Sequence, residues 1–139
     1  MTRHRYYLGL AKHASIMSHD PSTKCGAVIV SRDVNIVSVA YNDFPQGTDP
    51  EYWFDRTEKL AHVIHAEMGA ILSAKQSVQD CTIYVWPMTC CDRCAMHIIQ
   101  AGIIRVVTPP PSKEQIERWG ARATKALRNA GVELITLND

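Results

Sequence analysis

The sequence lacks several features that mark common classes of protein. No segment approaches the roughly 20 consecutive apolar residues of a membrane-spanning helix, and the first residues do not form the apolar stretch of a signal peptide. Neither sign of charge is in excess, because 15 Lys and Arg oppose 14 Asp and Glu, whereas proteins that follow a nucleic-acid backbone are usually basic. No repeat or low-complexity segment interrupts the chain. We therefore expect a cytoplasmic protein that acts on a small molecule and not on a membrane or a nucleic acid.

The size and the cysteine content narrow the expectation further. A chain of 139 residues that is 46% hydrophobic can build one ordinary core, so residues 1–139 are predicted to form a single domain. In a reducing compartment, the five cysteines are expected to bind metal or to lie in the core, and not to form disulfides.

Apolar periodicity and turn residues predict alternating helices and strands. A helix is expected over residues 7–17, followed by a β-hairpin at 26–30 and 35–41. Residues 42–59 are polar and aromatic with Pro and Gly breakers, which predicts a long loop of functional importance. Further along come a helix with Met68, Ile71 and Leu72 on one face, a strand over 82–86, a helix over 92–101 and a strand over 103–107.

The C-terminal pattern predicts a helix and one last strand. Ser112 and Gln115 have the spacing of a capping box, and Gly131 ends the helix before a strand at 132–137. The helical stripe consists of Ile116, Trp119, Ala123, Leu127 and Ala130. Because a strand–helix–strand unit is a right-handed crossover, the last two strands should be parallel. We predict an α/β fold: a three-layer α/β/α sandwich with a five-stranded mixed sheet, opened by the antiparallel hairpin.

Two short motifs carry the chemistry. His65-Ala66-Glu67 is followed 26 residues after the histidine by Cys91-Asp92-Arg93-Cys94. Three ligands leave one position of a tetrahedral Zn²⁺ site open, which is typical of catalytic zinc, and H-x-E with C-x-x-C is the pattern of zinc-dependent base deaminases. Both motifs fall at predicted helix starts, where the helix dipole favours thiolates. The sequence predicts zinc on His65, Cys91 and Cys94, with Glu67 as the proton carrier.

Other interpretations of these residues stay open at this stage. C-x-x-C alone also occurs in redox pairs, and Cys90 as a fourth ligand would close the site. Cys25 and Cys81 are expected to be buried thiols. Trp53 and Phe54 either attach the long loop to the core or cover a substrate.

Longer segments resemble the cytidine and deoxycytidylate deaminase family, above all its deoxycytidylate branch. Residues 20–30 (DPSTKCGAVIV) are similar to the segment that leads into the first strand of that branch. The segment Tyr41-Asn42-Asp43-Phe44-Pro45-Gln46-Gly47 is similar to its Y-N-G-x-P-x-G motif. The stretch up to His65-Ala66-Glu67-Met68 is similar to its extended loop before the zinc histidine. Three positions depart from the pattern of the family. Cys90 stands where the family usually has proline, Gly69 where it has asparagine, and Asp43 where it has glycine.

The resemblance implies specific roles. Zinc would bind His65, Cys91 and Cys94, and Glu67 would move protons while dCMP is converted to dUMP, a thymidylate precursor, and ammonia. Asn42 would contact the nucleotide sugar, and the backbone around Ala66 the pyrimidine edge. One or more of Lys24, Arg56 and Lys59 is expected to meet the 5′-phosphate. The resemblance also implies a homo-oligomer, often a hexamer, and possible deoxynucleoside triphosphate effectors. A deaminase of another base, nucleoside or nucleic acid, and a non-catalytic subunit with this fold, are the alternatives.

Overall fold

The computed structural model describes residues 1–138, except the side chain of Trp119, and contains a five-stranded sheet between two helical layers. The strands lie in the order β2-β1-β3-β4-β5. Their bounds are β1 Gly26–Val30, β2 Ile36–Tyr41, β3 Thr82–Trp86, β4 Arg105–Thr108 and β5 Glu133–Thr136. The predicted α/β/α sandwich with a mixed sheet is confirmed.

The helices connect these strands in the expected order. They are α1 Arg3–Ser15, a 3₁₀ helix Pro50–Phe54, α2 Arg56–His62, α3 Ala66–Ser73, α4 Asp92–Gln100, α5 Lys113–Gln115, a π-helical turn Ile116–Gly120 and α6 Ala121–Asn129. None of the helices within the described residues has the length and apolarity required to cross a membrane.

Strand β1 joins the hairpin to the parallel half of the sheet. It pairs antiparallel with β2 on one side and with β3 on the other, whereas β3, β4 and β5 are parallel to one another. All five residues of β1 are buried, because helices cover both faces of the sheet. The parallel pairing of β4 and β5 confirms the predicted crossover.

The two faces of the sheet carry two separate cores. Helix α1 covers one face, where Tyr7, Leu8 and Ala11 belong to a cluster with Val28 and Tyr84. Helices α3, α4 and α6 cover the other, larger core, whose buried side chains include Ile29, Ala70, Ile83, Ile98, Val106 and Leu127. At Gly26, any Cβ would collide with the backbone carbonyl of Ala11, so α1 lies against β1 at a distance that only glycine permits.

The buried face of α3 differs from the prediction. Leu72 is 64% exposed, while Ala66 and Ala70 are fully buried. Small residues let α3 lie close to β2: a Cβ at Gly69 would be only 3.3 Å from the Cβ of Ala40. Of the face predicted from Met68, Ile71 and Leu72, Ile71 packs against the larger core but Leu72 is exposed, because close helix packing selects small side chains at the deepest positions.

The C-terminal helical region begins with the predicted capping box and then contains a π-helical turn. Ser112 and Gln115 form the complete capping box. The backbone N–H of Ala121 bonds to the carbonyl of Ile116, five residues earlier, so the helix contains a π-helical turn that periodicity did not predict. Of the predicted apolar stripe, Ala123 and Leu127 are buried, whereas Ile116 is 44% exposed and Ala130 is exposed as well. The side chain of Trp119 lies outside the described part of the structure.

Candidate active site

The segment that precedes the histidine motif is folded rather than irregular. Asp43 and Ile64 form a β-bridge, with N···O distances of 3.1 and 2.8 Å. Between them, Phe44 stacks on the buried Trp53 with ring centroids 3.8 Å apart, while Phe54 is 77% exposed. The prediction of a long loop over 42–59 is therefore corrected, since the segment contains the 3₁₀ helix and the start of α2. Trp53 stabilises the segment from within by stacking on Phe44, and the bridge brings the chain directly to His65.

Helix α3 starts at the histidine motif. His65 is the N-cap with extended backbone angles (φ −64°, ψ 153°), and Ala66 and Glu67 form the first turn. This change from extended to helical backbone at His65 lets the side chains of His65 and Glu67 point in different directions. Glu67 is only 6% exposed, and burial raises the pKa of its carboxyl group. A carboxyl group with a raised pKa can hold a proton near neutral pH.

The cysteine motif starts helix α4 in a similar way. Cys91 is the N-cap, and its Sγ accepts a hydrogen bond from the backbone N–H of Cys94 at 3.4 Å. Hydrogen bonds from Cys94 and His65 lower the pKa of Cys91 to about 4, although burial acts in the opposite direction. The pKa of Cys94 is raised, first because its thiol shares a hydrogen bond with Cys91 and then because it is buried. Cys91 is therefore the more acidic of the two thiols.

The structure brings the three predicted zinc ligands together. One ligand atom from each of His65, Cys91 and Cys94 lies within 4.8 Å of the others. The Nδ1 atom of His65 is 3.3 Å from Sγ of Cys94 and 3.5 Å from Sγ of Cys91. Ligands at about 2.0 and 2.3 Å from a tetrahedral zinc ion are separated by about 3.5 Å, so the N/S/S donor set fits Zn²⁺. Zinc also supplies the positive charge that favours the second thiolate.

Cys90 does not close the site. It is fully buried and does not belong to the cluster of ligand atoms found among residues 1–138. Burial raises the pKa of its thiol, which disfavours the thiolate that zinc requires. Cys81 is buried in the larger core, as predicted, whereas Cys25 is partly exposed. The site therefore has three protein ligands and an open fourth position.

Asn42 lies at the end of β2, where its side chain is 5% exposed and makes three hydrogen bonds. Its Oδ1 accepts from the backbone N–H of Cys25 at 2.9 Å, and its Nδ2 donates to Oδ2 of Asp20 at 3.1 Å and to the carbonyl of Thr23 at 3.0 Å. These three hydrogen bonds hold the buried side chain of Asn42 in one orientation. Lys24, on the segment before β1, is exposed.

An ion pair that sequence reasoning did not identify lies beside Asn42. Nζ of Lys59 is 2.8 Å from Oδ1 of Asp20, and the two side chains are 12% and 6% exposed. Lys59 is therefore held by Asp20, in contrast to Lys24 and Arg56, which are exposed. In the sequence, Asp20 is marked only as the first residue of the segment 20–30 that resembles the family. No local signal could pair it with a lysine 39 residues away, because their contact depends on the folded loop.

Comparisons with known proteins agree with this geometry. The model of the cytidine and deoxycytidylate deaminase zinc-binding region matches residues 1–109, which include all three zinc ligands. The chain is 39% identical over 112 residues to a probable deoxycytidylate deaminase of Caenorhabditis elegans; the alignment covers 76% of this chain but 56% of that relative. It is 36% identical over 135 residues to an uncharacterized deaminase in the luxG 3′ region of Aliivibrio fischeri, covering 94% of this chain and 90% of the relative.

The fold agrees as well. The crystal structure of dCMP deaminase from the cyanophage S-TIM5 in apo form superposes with a TM-score of 0.74 at 21% identity, and the match covers 96% of both chains. The zinc ligand geometry, the family model and the sequence identity lead to one conclusion: this chain belongs to the cytidine and deoxycytidylate deaminase family and binds zinc through His65, Cys91 and Cys94.

Proposed function

We propose that the protein catalyses the zinc-dependent hydrolysis of dCMP to dUMP and ammonia. The observation that carries this proposal is the buried carboxyl group of Glu67, two residues from a zinc ligand that belongs to a three-ligand site. The family pattern of residues 41–47 supports a nucleotide substrate, and the relative in C. elegans is described as a probable deoxycytidylate deaminase. The product dUMP would supply thymidylate synthesis.

The reaction requires Glu67 to move protons in both directions. Zinc, when bound, supplies Lewis acidity that makes water a nucleophile at neutral pH. Glu67 takes a proton from the water and delivers it to ring N3 while the water oxygen bonds to C4. It then takes the hydroxyl proton and gives it to the amino group, the C4–N bond breaks, ammonia leaves and C4 becomes a carbonyl. Burial raises the pKa of Glu67, which makes its carboxylate a stronger base in each proton transfer.

Three further residues are assigned to substrate binding in this proposal. The backbone of Ala66, in the first turn of α3, is next to both His65 and Glu67 and would contact the pyrimidine edge. Asn42 would contact the sugar. Lys24 is exposed and follows Thr23, whose carbonyl accepts a hydrogen bond from Asn42, so it is the preferred partner of the 5′-phosphate.

A substrate panel tests the proposal. Ammonia release should be measured for zinc-loaded protein with dCMP, CMP, deoxycytidine, cytidine, cytosine, guanine and single-stranded DNA. We expect kcat/KM for dCMP to exceed that for deoxycytidine by about 10- to 100-fold, because a charge-assisted hydrogen bond to phosphate contributes about 1.5 to 3 kcal/mol. Equal values would remove the nucleotide assignment and leave a deaminase. Preference for a purine or for DNA would select another substrate class, and inactivity on the whole panel would favour a non-catalytic subunit.

The quaternary structure and regulation are part of the same proposal. We expect a homo-oligomer, often a hexamer, as the resemblance to the deoxycytidylate branch implies. Sedimentation that detects only a 15.6 kDa species at micromolar concentration would contradict this expectation. Effects of dCTP and dTTP on the rate should be measured with the oligomer. Asp43, whose carboxylate accepts a hydrogen bond from the backbone N–H of Phe44 at 2.9 Å, adds negative charge at the nucleotide motif and would weaken triphosphate binding there.

A further inference from the structure

The carboxylate of Asp20 is the centre of a buried polar network. Its Oδ1 accepts hydrogen bonds from Nζ of Lys59 at 2.8 Å and from the backbone N–H groups of Ser22 at 2.8 Å and Thr23 at 3.3 Å. Its Oδ2 accepts from Nδ2 of Asn42 at 3.1 Å. The backbone of Asn42 is held too, because its carbonyl accepts from Oγ of Ser18 at 2.9 Å. The network joins the end of α1, the end of β2 and helix α2.

The network determines which atoms Asn42 can offer to a ligand. Both hydrogens of Nδ2 are donated, one to the carboxylate of Asp20 and one to the carbonyl of Thr23. Because these two acceptors cannot donate, the amide cannot flip without placing Oδ1 against a carboxylate and a carbonyl. Oδ1 accepts one hydrogen bond from Cys25 and has a second lone pair. Asn42 can therefore only accept a hydrogen bond from a ligand.

We propose that Asp20, held in place by Lys59, is a positioning residue that fixes Asn42 as a hydrogen-bond acceptor and thereby selects a ligand with a hydroxyl donor. The inference rests on the proposed function, and it makes the acceptor role of Asn42 the determinant of sugar recognition. The sugar of dCMP has one free hydroxyl, at the 3′ position. That hydroxyl is the group that Asn42 binds, and Asp20 acts on it only through Asn42.

The test is a double-mutant cycle of Asp20→Asn and Asn42→Ala on zinc-loaded protein. In Asp20→Asn, an amide N–H can face Nδ2 of Asn42, which favours the flipped orientation. KM for dCMP should rise roughly two- to tenfold in each single variant while kcat stays within about twofold, since one neutral hydrogen bond is lost from binding. The double variant should have the same KM as Asn42→Ala within about twofold. Effects that multiply would show that Asp20 acts independently of Asn42 and would overturn the proposal.

A matched control separates this effect from general loss of an ion pair. Glu133→Gln alters a more exposed ion pair of similar length, in which Nε of Arg105 is 2.7 Å from Oε1 of Glu133, on the edge strand β5. It should leave KM unchanged. If it raised KM as much as Asp20→Asn does, the effect would not be specific to the network. Zinc content and thermal melting should be measured for every variant.

A substrate analogue tests the inference without the Asp20 variant, should that variant fail to fold. For the wild type, 2′,3′-dideoxycytidine monophosphate should have a KM roughly two- to tenfold above that of dCMP, whereas Asn42→Ala should not distinguish the two compounds. If the wild type bound both compounds equally, Asn42 would not recognise the hydroxyl.

An NMR measurement distinguishes failure of this inference from failure of the proposed function. In ¹⁵N-labelled wild type, both side-chain N–H protons of Asn42 should exchange slowly with water, and the one directed to Asp20 should lose roughly tenfold protection in Asp20→Asn. Rapid exchange of both protons in the wild type would overturn the positioning role. Protected protons together with inactivity on dCMP would overturn the substrate assignment and the hydroxyl recognition that rests on it.

Discussion

Replacing Glu67 by glutamine should abolish catalysis without weakening the protein. Glu67 is 6% exposed, and its pKa is raised because burial disfavours the charged carboxylate. Glutamine has nearly the same shape and carries no charge, so it removes the cost of burying that charge. Proton transfer by a positioned side chain contributes about 10²- to 10⁴-fold in rate, so the activation barrier should rise by about 2.7 to 5.4 kcal/mol.

The assay should compare kcat, zinc content and melting temperature for the wild type, Glu67→Gln and Glu117→Gln, whose exposed carboxylate provides the matched control. Zinc content of Glu67→Gln should equal that of the wild type, because the ligands are His65, Cys91 and Cys94. Melting of the zinc-free proteins should show Glu67→Gln to be at least as stable as the wild type. Turnover by Glu67→Gln within a few-fold of wild type would refute the proton-carrier role, and a lower melting temperature would refute the cost of burial.

Four other substitutions test the site and the fold. Cys94→Ser should lose zinc by elemental analysis, whereas Cys81→Ser, a buried cysteine outside the ligand cluster, should retain it; retention by both would contradict the ligand set. Gly26→Ala should lower the free energy of unfolding by about 2 kcal/mol or more in urea, because its Cβ collides with the backbone of α1, and an unchanged midpoint would contradict the close approach. Thr108→Val should stabilise by about 1 kcal/mol, since Oγ1 of the fully buried Thr108 has no hydrogen-bond partner within the described residues; destabilisation would point to a partner there. Trp53→Ala should increase hydrogen exchange over residues 43–62 without changing exchange in β3, because the buried Trp53 stacks on Phe44 within that segment; an unchanged rate would show that other contacts suffice.

Local patterns were sufficient to predict the sheet. The run Gly26–Val30 and the capping box at Ser112 specify their own conformations through β-branched side chains and side-chain caps, and the structure confirms both. Leu72 and Ile116 belong to predicted apolar helix faces and are nevertheless exposed, because the depth of helix packing depends on tertiary contacts that periodicity does not encode.

The metal ligands were predictable for a different reason. Two adjacent helix starts carry them, and the spacing within each motif fixes the side-chain directions locally. Asp20 and Lys59 were not recognised as partners because their contact joins segments 39 residues apart. The role of Trp53 was open from sequence, since an aromatic residue in a loop can pack inward or stay exposed like Phe54.

The placement of the zinc ligands also has a consequence for the entropy of the chain. His65 and Cys91 are the N-caps of α3 and α4, and the segment between them contains β3, the strand that pairs with both β1 and β4. A metal ion bound to both therefore acts as a cross-link that closes a loop of 26 residues around the middle of the sheet. By the chain-entropy relation used for disulfides, such a link restricts the unfolded chain by about 3.5 kcal/mol. Zinc bound early during synthesis would thus hold the two helix starts together before the parallel strands pair, and would shorten the conformational search of the slowest-forming part of the sheet.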